Sequence, residues 1–311
     1  MPSKKTEFLN WCVLLTSLVA TWACLWASSH GAWWLALAGA VAFAFVNFTP
    51  FAVMHEAVHG VASPSPFRNE LIGSVAAVTL PTSFSMQRVA HLGHHRRNRT
   101  DQDLYDYYLP HQKKWLRNVW LYGGNLLGMY WASIPTMGLI YLAAPNVWRS
   151  SLFVERIAPL LGFGPYVAEL ARLPVRRVWP EVAMAFIYQV AVFWALNLNW
   201  PGWITAHFLF ALHWSALQYV DHAWSPRDVQ EGAWNLKVMA PIRWLSLNYH
   251  YHLAHHQHPD APWTELPSLV PSGSYTPSFW SIYRSLWRGV RPAPPMGAPG
   301  NPAIFESHAT L

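Results

Sequence analysis

The chain has 311 residues, of which 53% are hydrophobic, 15% are aromatic and only 12% are charged. A typical soluble domain is about 25% charged, so this composition argues against a soluble protein and indicates a membrane protein with many aromatic rings at the membrane–water interfaces. The net charge of +6 does not lead us to expect a nucleic acid partner, because the basic residues avoid the apolar stretches. With two cysteines, both in one apolar segment, we expect no disulfide framework and no thiolate metal site.

Four apolar runs are long enough to cross a bilayer, which takes roughly 20 residues. They form two pairs with very short connections, residues 8–28 with 32–53 and residues 181–198 with 201–220. Each pair predicts a helical hairpin whose second helix ends beside a histidine. No cleavable signal peptide is expected, since the first apolar run is longer than a signal core.

Two further apolar stretches contain helix-breaking residues. Residues 70–84 include Pro81, and residues 118–143 include Pro135 and several glycines. We predict interfacial or re-entrant segments at both places. The Pro- and Gly-rich tail, residues 289–311, is expected to be ordered only by docking.

The distribution of basic residues predicts the orientation of the chain. The two short connections, residues 28–32 and 199–202, contain no Lys or Arg, and all 21 basic residues fall in segments on the opposite side. This pattern follows the positive-inside rule. We therefore predict that both termini and all histidine clusters face the cytoplasm.

Histidines dominate the polar part of the sequence. Eight of the 16 lie in three clusters with the sequences HEAVH, HLGHH and HLAHH. Spacings of three and four residues place side chains on one face of a helix, and neutral imidazole is the commonest side-chain ligand of transition metals. Because a single zinc takes about four ligands, the clusters predict a two-metal site, with His222 after the last apolar run as a ninth candidate. The predicted metal ligands are His55, His59, His91, His94, His95, His222, His252, His255 and His256.

Polar residues near the clusters are candidates for orienting the imidazole rings. Asp101, Asp103 and Asp221 could fix the tautomers of the ligands, or could pair with Arg96, Arg97 or Arg99 instead. No separate acid or base is assigned, because the metal pair itself is the predicted catalytic group. The predicted neighbours of the ligands are Glu56, Asp101, Asp103, Gln218, Asp221 and Asn248.

These features together predict the fold class. We expect a single all-α integral membrane domain over residues 1–311, with four transmembrane helices in two hairpins and a cytosolic helical cap that contains the His-rich di-metal site. All-imidazole ligation suits iron, copper or zinc. Two such metals in a lipid-facing protein indicate redox chemistry on an apolar substrate.

The three clusters resemble the histidine boxes of the membrane fatty acid desaturase and hydroxylase superfamily. The resemblance covers roughly residues 32–268, and the region NYHYHLAHHQHPDAPWTELP is similar to acyl-lipid desaturases and carotenoid ketolases. It implies two non-haem irons, dioxygen as co-substrate and an extra ligand after the last span, which corresponds to His222. In the stearoyl-CoA desaturases an Asn one turn earlier holds a metal-bound water, and Gln218 lies at the matching position.

The resemblance also implies an external source of electrons. The chain lacks the His-Pro-Gly-Gly signature of a fused cytochrome b5 domain, so we expect a separate carrier of the ferredoxin, rubredoxin or cytochrome b5 type. An acidic carrier would be attracted to a basic patch, and contact with anionic lipids is an equally good use of the same residues. The predicted patch comprises Arg96, Arg97, Arg99, Lys113 and Lys114.

The predicted function is the oxygen-dependent oxidation of C–H bonds in a long apolar chain, with fatty acyl desaturation as the first choice. Carotenoid ketolation or hydroxylation, and fatty acid hydroxylation or decarboxylation, stay open because they differ only in how the substrate is placed. HEAVH also matches the H-E-x-x-H motif of zinc metalloproteases, with Glu56 as general base, but that function leaves two clusters unexplained. A metal transporter would place its ligands near mid-membrane, whereas these clusters lie at span ends and in loops.

Overall fold

The computed structural model describes residues 2–160 and 164–306, so residues 307–311 of the predicted tail lie outside the described part. The protein is mostly helical. The described chain contains a 3-10 helix at Pro145–Arg149, a π-helix at Leu152–Ile157 and a second 3-10 helix at Leu286–Arg288, in addition to the elements named next. They are α1 (Lys4–His30), α2 (Trp33–Val46), α3 (Phe48–Val58), α4 (Pro66–Val78), α5 (Phe84–Arg97), β1 (Tyr107–Tyr108), α6 (Lys114–Leu126), α7 (Met129–Ala143), α8 (Ala158–Leu160), α9 (Gly164–Leu170), α10 (Val175–Ala195), α11 (Trp200–Val220), α12 (Ala240–Leu245), α13 (His252–Gln257), α14 (Leu266–Leu269), α15 (Phe279–Ser285), β2 (Arg291–Pro292) and α16 (Ala303–Glu306).

The chain divides into two compact units. Unit 1 comprises Met1–Gly93 and Ala132–Phe210, and unit 2 comprises His94–Trp131 and Ala211–Leu311. The chain passes between the units within helices α5, α7 and α11.

Unit 1 begins with a tight helical hairpin of α1 and α2. Ser3 caps α1 by accepting a hydrogen bond from the backbone N–H of Thr6, as Ser does at many helix N-termini. A Cβ atom on Gly39 of α2 would lie 2.9 Å from the Cβ of Ala27. The two helices therefore approach each other closely, because the residues at their crossing are small.

Three helical stretches of the described chain are long and apolar enough to cross a membrane: Lys4–His30, Trp33–Val58 and Val175–Ala195. The second of these joins α2 and α3 across a turn at Asn47 and continues past residue 53 into the first histidine cluster. Helix α11 covers the fourth predicted span but is not among the three. The four-span topology thus stays a prediction.

The broken apolar stretch forms two helices that bend by 86° between α6 and α7. The bend contains Gly128 at a φ of +66°, a backbone conformation that favours glycine. A Cβ atom there would also lie 2.8 Å from the Cβ of Ala211. The pair passes the same test as a single span, so either a broken span or the predicted re-entrant segment fits this geometry.

Unit 2 is built around a core that includes the C-terminal region. Trp224, Ile282 and Leu286 are fully buried in it, and Phe305 of α16 packs against the same cluster. Strands β1 and β2 pair in parallel, with Tyr107 opposite Arg291. The backbone N–H of Asn301 donates to the carbonyl oxygen of Trp224, 2.8 Å away, so the described part of the Pro- and Gly-rich tail is docked on this core.

A buried ion pair connects the loop after α5 to the turn after α11. Arg99 and Asp106 are both fully buried, and the Arg99 guanidinium donates to both carboxylate oxygens at 2.6 and 3.0 Å. Asp106 also accepts from the backbone N–H of Trp224, and Arg99 donates to the carbonyl of Ser225. The prediction that Arg99 belongs to an exposed basic patch is therefore wrong, because its charge is neutralised inside unit 2.

We expect Asp106→Ala to destabilise the protein by about 3–5 kcal/mol, because it leaves the buried Arg99 charge without its partner. The exposed Asp260 supplies the matched control, and Asp260→Ala should change stability by less than about 0.5 kcal/mol. Unfolding in detergent, followed by tryptophan fluorescence, measures both. Equal stability of the two variants would contradict a structural role for the pair.

Candidate metal centre

Three of the predicted ligands meet in unit 1. His55 lies in the last turn of α3, His59 caps the same helix, and His91 lies on α5. The Nε2 atoms of His59 and His91 are 2.9 Å apart, and the rings of His55 and His91 have centroids 4.4 Å apart. Each of the three offers a ring nitrogen within 4.8 Å of the others. Imidazoles this close either share a proton or surround a common cation.

The packing of α3 and α5 explains how these rings are held. Every residue of α3 from Phe48 to Val58 is buried, which fixes the helix that ends in the first cluster. Arg88 of α5 pairs with Glu70 at 2.8 Å and donates to the carbonyl of Ala57 at 3.4 Å. Arg177 also pairs with Glu70. This ion-pair network connects α3, α4, α5 and α10 one turn from the histidines.

Unit 2 brings four further ligands together as a tetrad. The tetrad comprises His94 of α5, His222 of the turn after α11, and His252 and His256 of α13. The Nε2 atom of His222 lies 3.2 Å from that of His94 and 3.0 Å from that of His252. One ring nitrogen of each residue lies within 4.8 Å of the other three. Four converging nitrogens match the donor number of a tetrahedral transition-metal site.

The remaining two predicted ligands also pair within unit 2. The Nε2 atoms of His95 and His255 are 3.0 Å apart, and the His95 ring stacks on His256 with centroids 4.2 Å apart. Helix α13 presents His255 because the Asn235 side chain accepts a hydrogen bond from the backbone N–H of Ala254 at 3.1 Å. This bond fixes the start of a short six-residue helix.

Hydrogen bonds at the far nitrogen set the tautomers of two tetrad rings. The Nδ1 of His94 donates to Asp103 at 2.6 Å, and the Nδ1 of His222 donates to the carbonyl oxygen of Gly232 at 2.8 Å. Carboxylates and carbonyls only accept, so the proton of each neutral ring lies on Nδ1. Each Nε2 therefore has its lone pair directed toward the tetrad, which is the arrangement that metal-binding histidines use.

Burial favours the neutral form of two tetrad rings, His222 and His256. Burial, together with the nearby His94 ring, lowers the pKa of His222 to about 3. Burial and neighbouring imidazoles place the pKa of His256 well below its usual range. Neutral imidazole is the form that binds metals. The chemistry of this donor set therefore fits a transition-metal cation.

A buried atom in the tetrad supports the same conclusion. Among the described residues, the Nε2 of His256 is buried and has no hydrogen-bond partner. A buried polar atom without a partner costs free energy, and a cation bound by the tetrad would satisfy it.

The other predicted neighbours take different positions. Asp101 is exposed and pairs with Arg227 at 2.6 Å. Asp221 is fully buried, burial raises its pKa well above the usual range, and its carboxylate oxygens make no hydrogen bond to a described residue. Asn248 donates to the carbonyl of Trp263 at 3.0 Å. Glu56 is buried on α3, and Gln218 lies on α11 near the buried Tyr249.

Sequence reasoning missed the groups that orient His222. Its acceptor is a backbone carbonyl, and that carbonyl also accepts from Asn98 at 3.1 Å. A Cβ atom at Gly232 would lie 2.2 Å from the carbonyl oxygen of Asp228, so the loop closes only with glycine. The Tyr105 ring stacks on His222 with centroids 6.1 Å apart. Gly232 lies ten residues after His222 in a loop without a motif, and no sequence signal marks it.

Comparison with known proteins agrees with the geometry. A family model described as "Fatty acid desaturase" matches residues 32–272, which include all nine predicted ligands. A search of curated proteins found no match.

We expect Asp103→Asn to weaken metal binding at least about tenfold, because a neutral amide is a poorer acceptor for the His94 Nδ1–H. Asp101→Asn is the matched control two residues away, and its affinity should stay near the wild-type value. Competition with a calibrated chelator measures both affinities. Equal losses in the two variants would show that the bond to His94 does not orient a ligand.

Stability of the metal-free protein should fall as the pH is lowered. Unfolded His222 takes up a proton below about pH 6.5, whereas the folded ring does so only near its pKa of about 3. Since the unfolded state binds more protons between these values, the free energy of unfolding decreases as the pH falls through that window. Urea unfolding at several pH values measures the slope.

His222→Gln serves as the comparison, because it removes this titrating group and should flatten that slope. An identical pH dependence in the wild type and the variant would contradict a neutral, buried His222.

Proposed function

This chain belongs to the fatty acid desaturase family, and we propose on that premise that it is a membrane oxidoreductase with two non-haem irons that uses dioxygen to oxidise C–H bonds of a long apolar chain. Fatty acyl desaturation is the favoured reaction. Family membership supports an oxidoreductase that acts on lipid, and the histidine groups are compatible with a metal pair.

The tetrad is the observation that supports the proposal best. Its four rings are complete within one unit. His94 comes from the second box, His252 and His256 come from the third, and His222 comes from the turn after α11. This set leaves out His55 and His59, so a single site cannot use all the boxes. We propose that the predicted ligands outside the tetrad bind a second metal.

Helix α5 contains two of the five predicted ligands that lie outside the tetrad. His91 and His95 are four residues apart on this helix, so their side chains lie on one face. His91 contacts His59, and His95 contacts His255. We infer that these rings bind the second metal, whose proposed ligands are His55, His59, His91, His95 and His255.

The chain's own residues would hold the metals and set their surroundings. Two bound irons would supply the reductive activation of dioxygen that attack on an unactivated C–H bond requires. Asp103 and the Gly232 carbonyl keep two ligand rings in the binding tautomer. Asp221 directly precedes His222, and Gln218 lies four residues before it. We propose that their polar groups contact the ligand sphere through water.

A zinc protease is the alternative from another enzyme class. It would use His55 and His59 as ligands and Glu56 as the base. It requires one further ligand, and it does not explain why four histidines converge in the tetrad of unit 2. The desaturase family match covers all three boxes, and for this reason the oxidase is the better proposal.

The proposed substrate is a long apolar molecule. A fatty acyl chain is the first choice of substrate, and a carotenoid ring or a free fatty acid is the alternative within the same family chemistry.

Electrons would come from a separate carrier of the ferredoxin, rubredoxin or cytochrome b5 type. We propose that the termini and the metal centre face the cytoplasm, which the distribution of basic residues supports.

Expression in a host with simple saturated lipids tests the proposed reaction. With oxygen, the wild type should yield lipids that lack a pair of hydrogens, and mass spectrometry with labelled dioxygen separates this outcome from hydroxylation or ketolation. His255→Ala should abolish the product and lower bound iron. His258→Ala is the matched control, because His258 is exposed and lies outside the proposed ligand sets.

Full activity of His255→Ala would contradict the proposal, as would product formation without oxygen. A wild-type protein that binds one zinc and cleaves peptides would favour the protease instead.

A further inference from the structure

Three segments of unit 2 that contain none of the predicted ligands combine exposed tryptophans with basic residues and contain no acid. Residues 113–122, 237–245 and 278–291 contain eight Lys or Arg residues and no Asp or Glu. We call these segments the aromatic-basic face.

The apolar side chains of this face are unusually exposed. Large side chains of this kind are normally buried or scattered singly, and a cluster of them marks a binding surface. Five of them have exposed fractions between 63% and 71%: Trp115, Met239, Trp244, Trp280 and Trp287.

Contacts between the segments show that they are neighbours. The Tyr122 ring of α6 stacks on Trp287 with centroids 6.0 Å apart, and the Asn118 side chain accepts from the backbone N–H of Val290 at 2.8 Å. The backbone N–H of Lys237 donates to the carbonyl of Pro277 at 2.8 Å. The bridge between Lys237 and Ser278 is parallel, so Met239 and Trp280 follow it in the same direction.

We propose that the aromatic-basic face binds the headgroup region of a bilayer that contains anionic lipids. Tryptophan rings collect at the depth of the headgroups, and Lys and Arg near the surface attract anionic lipids. The absence of acidic residues removes the repulsion that such lipids would exert. The face supplies a contact with the membrane separate from the three candidate spans, and this role goes beyond the proposed oxidase activity.

A bilayer fits this face better than an acidic electron carrier does. Carriers form small, transient interfaces that depend mainly on charge, and a charge-steered contact does not require five exposed large apolar side chains. Burial of those side chains at the acyl boundary removes their apolar area from water.

Site-specific quenching by lipid tests the proposal. Cys12→Ser and Cys24→Ser give a background without thiols, in which Met239→Cys, Trp280→Cys or Gln230→Cys takes a fluorescent label. The full chain is placed in nanodiscs of phosphatidylcholine, or of an equimolar mixture with phosphatidylglycerol, that contain headgroup-spin-labelled lipid. Labels at 239 and 280 should be quenched, whereas the label at the exposed Gln230 should not.

A charge variant tests the anionic preference. Lys237→Gln combined with Arg243→Gln should lower the preference of the label at 280 for phosphatidylglycerol about fivefold for each cation removed. Quenching at 239 and 280 no greater than at 230 would overturn the proposal. Quenching of equal strength with and without phosphatidylglycerol would also overturn it. Labels that become shielded from the aqueous solvent only when an acidic ferredoxin is added would do so too. The readout needs neither metal nor turnover, so it is independent of the oxidase proposal.

Discussion

The orientation of buried imidazole rings is the constraint on which the candidate metal centre depends. A ring can bind a cation only if its proton is on the far nitrogen, and in two tetrad rings a fixed acceptor holds it there. One acceptor is the Asp103 carboxylate and the other is the Gly232 carbonyl. The loops that supply these acceptors are therefore as important to the site as the helices that present the histidines.

The surroundings of the tetrad show how unit 2 maintains this arrangement. The Arg99–Asp106 ion pair fixes the backbone of Trp224, two residues after His222. Asn98 holds the Gly232 carbonyl in place. Because neutral rings buried together are poorly satisfied without a cation, metal binding and folding of this unit should be coupled.

The helices that contain the ligands could be predicted from the sequence, because the three- and four-residue spacing of a helix is a local property. Clusters two and three lie on α5 and α13, and the first ends α3. Proximity along the chain was also enough to identify Asp103. The Gly232 carbonyl could not be predicted, because a backbone acceptor leaves no residue signature and its loop reaches His222 only in the folded chain.

Tertiary contacts account for the incorrect assignment of Arg99. In the stretch RRNR, nothing local separates Arg99 from the exposed Arg96. The partner, Asp106, lies seven residues later, and its carboxylate buries one arginine of the run while leaving another in water. Helix α11 shows a related limit, since its length fits a span while polar residues such as His207 and Gln218 lie within it.

The most direct test of the central claim is a count of metal ions in the purified chain. Iron-loaded protein, prepared without oxygen and studied by elemental analysis and Mössbauer spectroscopy, should contain two irons per chain in nitrogen-rich environments. A single ion per chain, whether iron or zinc, in protein that is otherwise folded and active would contradict the proposed pairing of the histidine boxes.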